Sequence, residues 1–237
     1  MAEHCIVEIS IYRAVLFDMD GVIADTMPLH YEAWRRAFEI SGITIEKMDV
    51  YLREGMTTWA MAEKIAEAKG RELSREQLDR IVEDKSIFFT KLAMEKAKAY
   101  EGVAETLRML RNNGLKAALV TGSRRNAVGA VLKKIGLEGE FDAIVCAEDV
   151  KLGKPGPEPY EAAIKKLGVN RLNCIVVENA PLGIESAKAA KVDYVIAVAT
   201  TLPESYLSRA DDVMSSISDL EQCLAQRFKA RPGRANV

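Results

Sequence analysis

Two aspartates separated by one residue stand at the end of an apolar run in VLFDMDGVIADT, residues 15 to 26. On an extended segment Asp18 and Asp20 point the same way, and Gly21 lets the chain turn and approach a ligand closely. Alone, the pair reads equally as a turn or a calcium-loop fragment. Three later segments change that. Thr121, Gly122 and Ser123 follow the run KAALV, Lys154 lies in GKPGPEP, and Glu178 and Asn179 follow CIVV. Singly these are a helix cap, a surface lysine and a turn. Together, in order and each after its own apolar run, they assemble acids, hydroxyls, a lysine and an acid–amide pair. That set suits phosphoryl transfer with a hard divalent cation. Oxygens of Asp18, Glu178 and Asn179 match the preference of Mg2+ for oxygen ligands. One carboxylate can take the phosphoryl group covalently while the other moves the leaving-group proton. Lys154 adds positive charge beside both nucleophile and phosphate. The helix start near Arg124 offers backbone N–H groups to phosphate oxygens.

These residues need a scaffold that brings loops from distant parts of the chain to one place. Apolar runs at 14–17, 116–120, 142–147, 174–177 and 194–199 predict buried strands of a parallel sheet. Helical patterns at 124–135, 158–167 and 182–191 separate the last four, and strand–helix alternation implies βαβ units. In such a sheet ligands bind beyond the carboxyl ends of the strands, which is where the chemistry-bearing residues fall. The fold class expected is α/β, a Rossmann-like parallel core with a helical cap inserted after the first strand. From about Met27 to Lys98 only helical patterns occur, including SREQ (74–77), which has capping-box spacing. Tyr31, Trp34 and Phe38 share one helix side, and Lys85 interrupts an apolar stripe running from Leu78 to Leu92. An insert of this length is no ordinary connection. Residues 27–98 are therefore expected as a helical cap domain, with 1–26 and 99–237 forming a discontinuous core.

The chain of 237 residues is 49% hydrophobic with a net charge of −2. It lacks the strongly basic balance of a nucleic-acid binder and any apolar run long enough to span a bilayer. The opening MAEHCIVEIS does not read as a signal peptide. Cys5, Cys146, Cys174 and Cys223 form no CxxC pair, so a reducing cytoplasm is the expected setting. The expected partner is a small-molecule phosphate ester, with neither nucleic acid nor membrane, and the chain is expected to be a monomer. The tail RFKARPGRANV is expected to fray.

Across nearly its whole length the chain resembles the haloacid dehalogenase-like superfamily, and within it the β-phosphoglucomutase-like phosphatases. The resemblance runs through DMDGVIADT, HYEAW, VTGS, GKPGPEPY and VVENAPLGIESAKAA. It implies Asp18 as the nucleophile that becomes an aspartyl phosphate. It implies Asp20 as general acid and base, with its backbone carbonyl on the metal. Thr121 resembles the phosphate-binding hydroxyl, with Gly122 and Ser123 beside it, and Lys154 the charge-balancing lysine. Glu178 and Asn179 match the metal-binding acidic pair, although the second position is more often Asp, so one negative charge is missing. His30 matches a histidine that approaches the site in hexose-phosphate mutases. The loop LREGMTT (52–58) resembles the cap loop that reads the substrate, with Gly55 at its turn and Arg53 nearby. Lys85 matches a cap lysine of the mutases. The arginine that mutases carry three residues after the glycine is here Thr58. The resemblance thus implies a Mg2+-dependent phosphatase acting on a small sugar-phosphate-like metabolite. Its rivals are a β-phosphoglucomutase, a non-catalytic metabolite-binding protein on the same fold, and a dehalogenase, which would need neither Asp20 nor the metal acids.

Overall fold

The computed structural model describes residues 9–229. Strand β1 (Ala14–Phe17) is buried at every position, as its unbroken apolar sequence requires. It lies between β2 (Lys116–Val120) and β4 (Cys174–Glu178) and pairs with both in parallel. β3 (Ala143–Val145), β5 (Tyr194–Val198) and β6 (Asp212–Met214) complete a parallel sheet of order β3-β2-β1-β4-β5-β6. Phe17 pairs with Leu119 and with Val177. Asp18 therefore stands level with Val120 and Glu178 where the three central strands end.

Helices cover both faces of this sheet. On one side α5 (Val103–Asn112), α6 (Arg125–Ile135) and α9 (Ile217–Lys229) supply Leu107, Val128 and Leu220 to a core that includes Val15 and Phe17. On the other, α7 (Glu158–Leu167) and α8 (Pro181–Ala189) supply Tyr160 and Ile184 against Leu16 and Val176. Two-sided burial explains why the strands read as continuous apolar runs.

Between β1 and β2 come α1 (Met27–Ile40), α2 (Lys47–Tyr51), α3 (Thr58–Ala68) and α4 (Arg75–Lys96), with no strand among them. Their apolar faces enclose a separate core of Trp34, Phe38, Ile65 and Ile81. The sequence punctuation works here as expected. Pro28 stands in the first turn of α1, where a missing N–H costs nothing. Ser74 and Gln77 cap α4 reciprocally at 3.3 and 2.8 Å. α1 and α4 pack on each other and α4 also reaches α6, so the insert is seated on the core.

Several boundaries differ from the sequence reading. The third strand is shorter than 142–147. The Asp142 carboxylate instead accepts the Ala117 N–H at 2.8 Å, and Cys146 donates its N–H to Asp149 Oδ2 at 2.8 Å to open a 3-10 turn. The fourth strand extends through Glu178. β6 goes unread in the sequence because three residues with an acid at their head carry no strand pattern; it is a short edge strand, a common way of limiting exposed edges. Helix α9 continues through Lys229, so the basic tail begins as helix. Its remainder, Cys5 and most of MAEHCIVEIS lie outside the described residues. Among those described, no helix is long and apolar enough to cross a membrane.

Candidate active site

Lys154 organises the floor of the site. It reaches in from the loop before α7, and its ammonium donates to Asp18 Oδ1 at 2.5 Å, Glu178 Oε1 at 2.6 Å and the Val120 carbonyl at 3.2 Å. Lys154 is 3% exposed and Glu178 1%. Burial disfavours the ammonium, but Asp18 and Glu178 outweigh it and hold its pKa well above the ordinary lysine value. A third group completes the clamp: Tyr160 donates its hydroxyl to Glu178 Oε1 at 2.5 Å. The other Glu178 oxygen accepts the Asn179 N–H at 3.1 Å. Glu178 is thus tied to Lys154, Tyr160 and its own backbone. Gly183 explains how α8 comes so close, because a Cβ there would lie 1.9 Å from Glu178 Oε1.

Asp18 keeps one oxygen, Oδ2, buried and without a hydrogen-bond partner. Burial pushes its carboxyl up to about 8 against the pull of Lys154, with Glu178 and Asp20 adding to the rise. A buried carboxyl with an idle oxygen is open to a cation, whose charge would favour the ionised form that can attack an electrophile.

Asp20 is its opposite. Oδ1 accepts from Thr26 Oγ1 at 2.6 Å and from His30 Nε2–H at 3.0 Å. Oδ2 accepts from the hydroxyls of Thr121 and Ser123, each at 3.2 Å. Burial would raise its pKa, yet His30, Thr26 and Lys85 together hold it at about 2. Burial, aided by Lys85, lowers the His30 pKa, and the imidazole stacks on Phe89 with ring centres 3.9 Å apart. Lys85 also lies over Phe89 and Trp34, at 4.7 and 5.3 Å from the ring centres. Burial pulls its pKa down to about 8.

The loop between α2 and α3 closes over these groups. Gly55 (φ +91°) faces Lys154, whose Cδ would lie 2.8 Å from an added Cβ, and Gly122 faces the Met56 carbonyl at 2.7 Å. Only glycines allow that approach. Asp18, Asp20, His30, Gly55, Lys85, Thr121, Gly122 and Ser123 border one cavity, with Thr58 at its rim. Arg53 does not: its guanidinium turns back to the Asp49 carbonyl at 2.9 Å. Its neighbour Glu54 enters instead, 5% exposed, and its Oε1 accepts from Asn179 Nδ2 at 2.9 Å. The start of α6 is also less open than the sequence suggests, because the Arg125 N–H donates to the Glu148 carboxylate at 3.1 and 3.2 Å. Sequence reading missed Glu54, Tyr160 and Gly183. GKPGPEPY and PLGIE marked two of them only as loop and helix start.

Among the described residues, no three His, Cys, Asp or Glu side chains are gathered closely enough to hold a metal ion by themselves. The donor set here is mixed, and it fits Mg2+ in another way. Asp18 Oδ2, Asn179 Oδ1 and Glu54 Oε2 are all buried oxygens without partners. Such atoms are costly unless something satisfies them, and hard oxygen donors of this kind suit Mg2+.

An α/β core with a helical cap, carrying an aspartate nucleophile candidate at the end of β1, defines a class of phosphoryl-transfer enzyme. The sequence pattern of the haloacid dehalogenase-like hydrolases matches residues 12–191. The chain belongs to that family, as a phosphatase or a phosphomutase. It is 34% identical to the phosphorylated carbohydrates phosphatase of Thermotoga maritima, over 80% of this chain and 87% of that one. It is 30% identical to the fructose-1-phosphate phosphatase YqaB of Escherichia coli, over 78% and 95%. Its fold superposes on the β-phosphoglucomutase of Clostridium difficile with a TM-score of 0.82 at 28% identity, covering 92% of this chain and 97% of that one.

Proposed function

We propose that the protein is a Mg2+-dependent phosphatase of small, sugar-phosphate-like metabolites, working through an aspartyl phosphate on Asp18. The observation that carries this is the pairing of unlike carboxylates on one cavity: Asp18 with an idle oxygen, Asp20 fully hydrogen-bonded. Environments that push two carboxyls apart assign them different roles. In the first step an Asp18 oxygen attacks phosphorus, the bond from phosphorus to the ester oxygen breaks, and Asp20 supplies a proton to that oxygen. In the second, water attacks phosphorus, Asp20 takes its proton, and Asp18 leaves as carboxylate with inorganic phosphate.

The contacts around Asp20 hold it ionised, which is the form that takes a proton from water. To donate one, Asp20 must first take up a proton, which release from His30 and Thr26 favours, and then face the substrate oxygen. Lys154 screens the phosphate from the Asp18 carboxylate, and Thr121 and Ser123 offer hydroxyls to it. Mg2+, held by Asp18, Asn179 and the Asp20 carbonyl with Glu178 in support, would supply further charge neutralisation. The cavity measures about 40 Å³, room for about three waters. A sugar phosphate is larger, so residues 27–98 act as a cap that must open to admit it. The reading includes a monomer working in the cytoplasm.

The mutase reading keeps one observation in its favour, Lys85, a buried cation on the cavity able to grip a second phosphate. Thr58, in place of a cation, favours hydrolysis. The discriminating experiment supplies β-glucose 1-phosphate with a bisphosphate primer and Mg2+. Free phosphate is expected to outpace glucose 6-phosphate; the reverse order establishes the mutase.

A further inference from the structure

Glu54 raises a problem that the proposed chemistry does not resolve. It is a carboxylate on the α2–α3 loop, 5% exposed, driven into a site that already holds Asp18, Asp20 and Glu178. Lys154 cannot serve it, because the ammonium is committed to Asp18, Glu178 and the Val120 carbonyl. Its single hydrogen-bond partner is the Asn179 amide, at 2.9 Å from Oε1, and Oε2 has none. A buried carboxyl in this position either keeps a proton or is joined by positive charge.

Asn179 shows where that charge would sit. Its Nδ2 donates to both Glu54 Oε1 and Thr201 Oγ1, each at 2.9 Å, while its Oδ1 is buried without a partner. An aspartate at 179 would set two carboxylates against each other at that spacing. The amide instead binds Glu54 and still offers an oxygen to a cation. The negative charge that the loop after β4 lacks is therefore present in the site, carried on the other domain. Asp18 Oδ2 supplies a third idle oxygen.

We propose that Glu54 is a cap-borne member of the divalent-cation site, making up the charge absent at Asn179, so that cation binding and cap closure reinforce each other. The inference rests on the Mg2+-dependent reading of the site and deepens it. Gly55, Gly122 and Gly153 provide the close seating it requires, the last with the Thr57 N–H only 3.2 Å from where a Cβ would be. Because Glu54 reaches the cation only when the loop is seated, Mg2+ favours the closed form by its differential affinity for the two states.

The test is calorimetric titration of Mg2+ into the full chain, with no substrate present, for the unmodified protein, Glu54→Gln and the double variant Glu54→Gln/Asn179→Asp. Glutamine keeps an acceptor for Asn179 and removes only the charge. Glu54→Gln is expected to weaken Mg2+ binding about tenfold or more, and the double variant to recover most of the loss. In small-angle scattering, Mg2+ is expected to compact the unmodified protein and to lose that effect in Glu54→Gln. Melting curves in EDTA establish that each variant is folded. Unchanged Mg2+ affinity in folded Glu54→Gln, alongside Mg2+-dependent hydrolysis of an aryl phosphate by the unmodified chain, overturns this inference alone. An unmodified chain that neither binds Mg2+ nor needs it for hydrolysis overturns the inference and the reading beneath it.

Discussion

The floor of the site and its roof are built on different principles. The floor comes from the ends of β1, β2 and β4 and the loop carrying Lys154, and its polar atoms have fixed partners except Asp18 Oδ2 and Asn179 Oδ1. Lys154 alone joins three acceptors on three segments. The roof comes from one loop and two helices of the insert. It makes few polar contacts with the floor, chiefly through Glu54 to Asn179 and His30 to Asp20, and relies on glycines for its fit. A floor tied by so many fixed contacts is preorganised. The roof is held instead by apolar packing, with Ala33, Phe89, Leu92 and Ala93 joining the core that contains Phe17.

Substitutions on the two sides should therefore fail differently. The largest effect is expected from Asp18→Asn. It removes the proposed nucleophile and should lower kcat on an aryl phosphate on the order of 10^4-fold or more, with the fold intact by circular dichroism. Lys154→Met comes next. Removing one member of a buried ion pair costs about 3–5 kcal/mol, so thermal denaturation should show a large fall in Tm as well as loss of activity. Gly122→Ala tests the roof: its Cβ would meet the Met56 carbonyl at 2.7 Å. Displacing the loop should lower kcat/KM about 100-fold while leaving Tm close to that of the unmodified protein. Equal loss of Tm in the lysine and glycine variants would erase the distinction between floor and roof.

The floor should also show a pH dependence. Burial lifts Asp18 from 3.8 to about 8, so without metal the folded state binds more protons than the unfolded state across that window. Stability is then fully present below pH 3.8 and falls as pH rises towards 8. Denaturant titrations in EDTA should show this slope, and Mg2+ should flatten it. A slope unchanged in Asp18→Asn would assign it to another group.

Floor and roof also differ in how legible they were. The strands announced themselves, since residues buried on both faces must be apolar throughout, and Asp18, Thr121 and Asn179 follow their strands directly. Glu178 and Asn179 could be placed from CIVV alone. The roof gave no such signal. In LREGMTT the arginine beside the turn was the candidate for the site, yet it turns back on α2 and Glu54 enters. Neighbours in a turn point in different directions, and only the seated loop decides which one is buried. Tyr160 was hidden for a related reason: its partner Glu178 is distant in sequence, and PEPY marks only a helix start. Lys85 was visible as a break in an apolar stripe, but its depth, 6% exposed between Trp34 and Phe89, depends on helix packing that periodicity cannot give.

The central claim is that Asp18 takes the phosphoryl group. Its most direct test is rapid acid quenching during turnover of a labelled phosphate ester, followed by peptide mapping. Protein-bound phosphate, labile to hydroxylamine, is expected on the peptide that contains Asp18, and none in Asp18→Asn. Release of free phosphate with no protein-bound species, or the same label in Asp18→Asn, would contradict it.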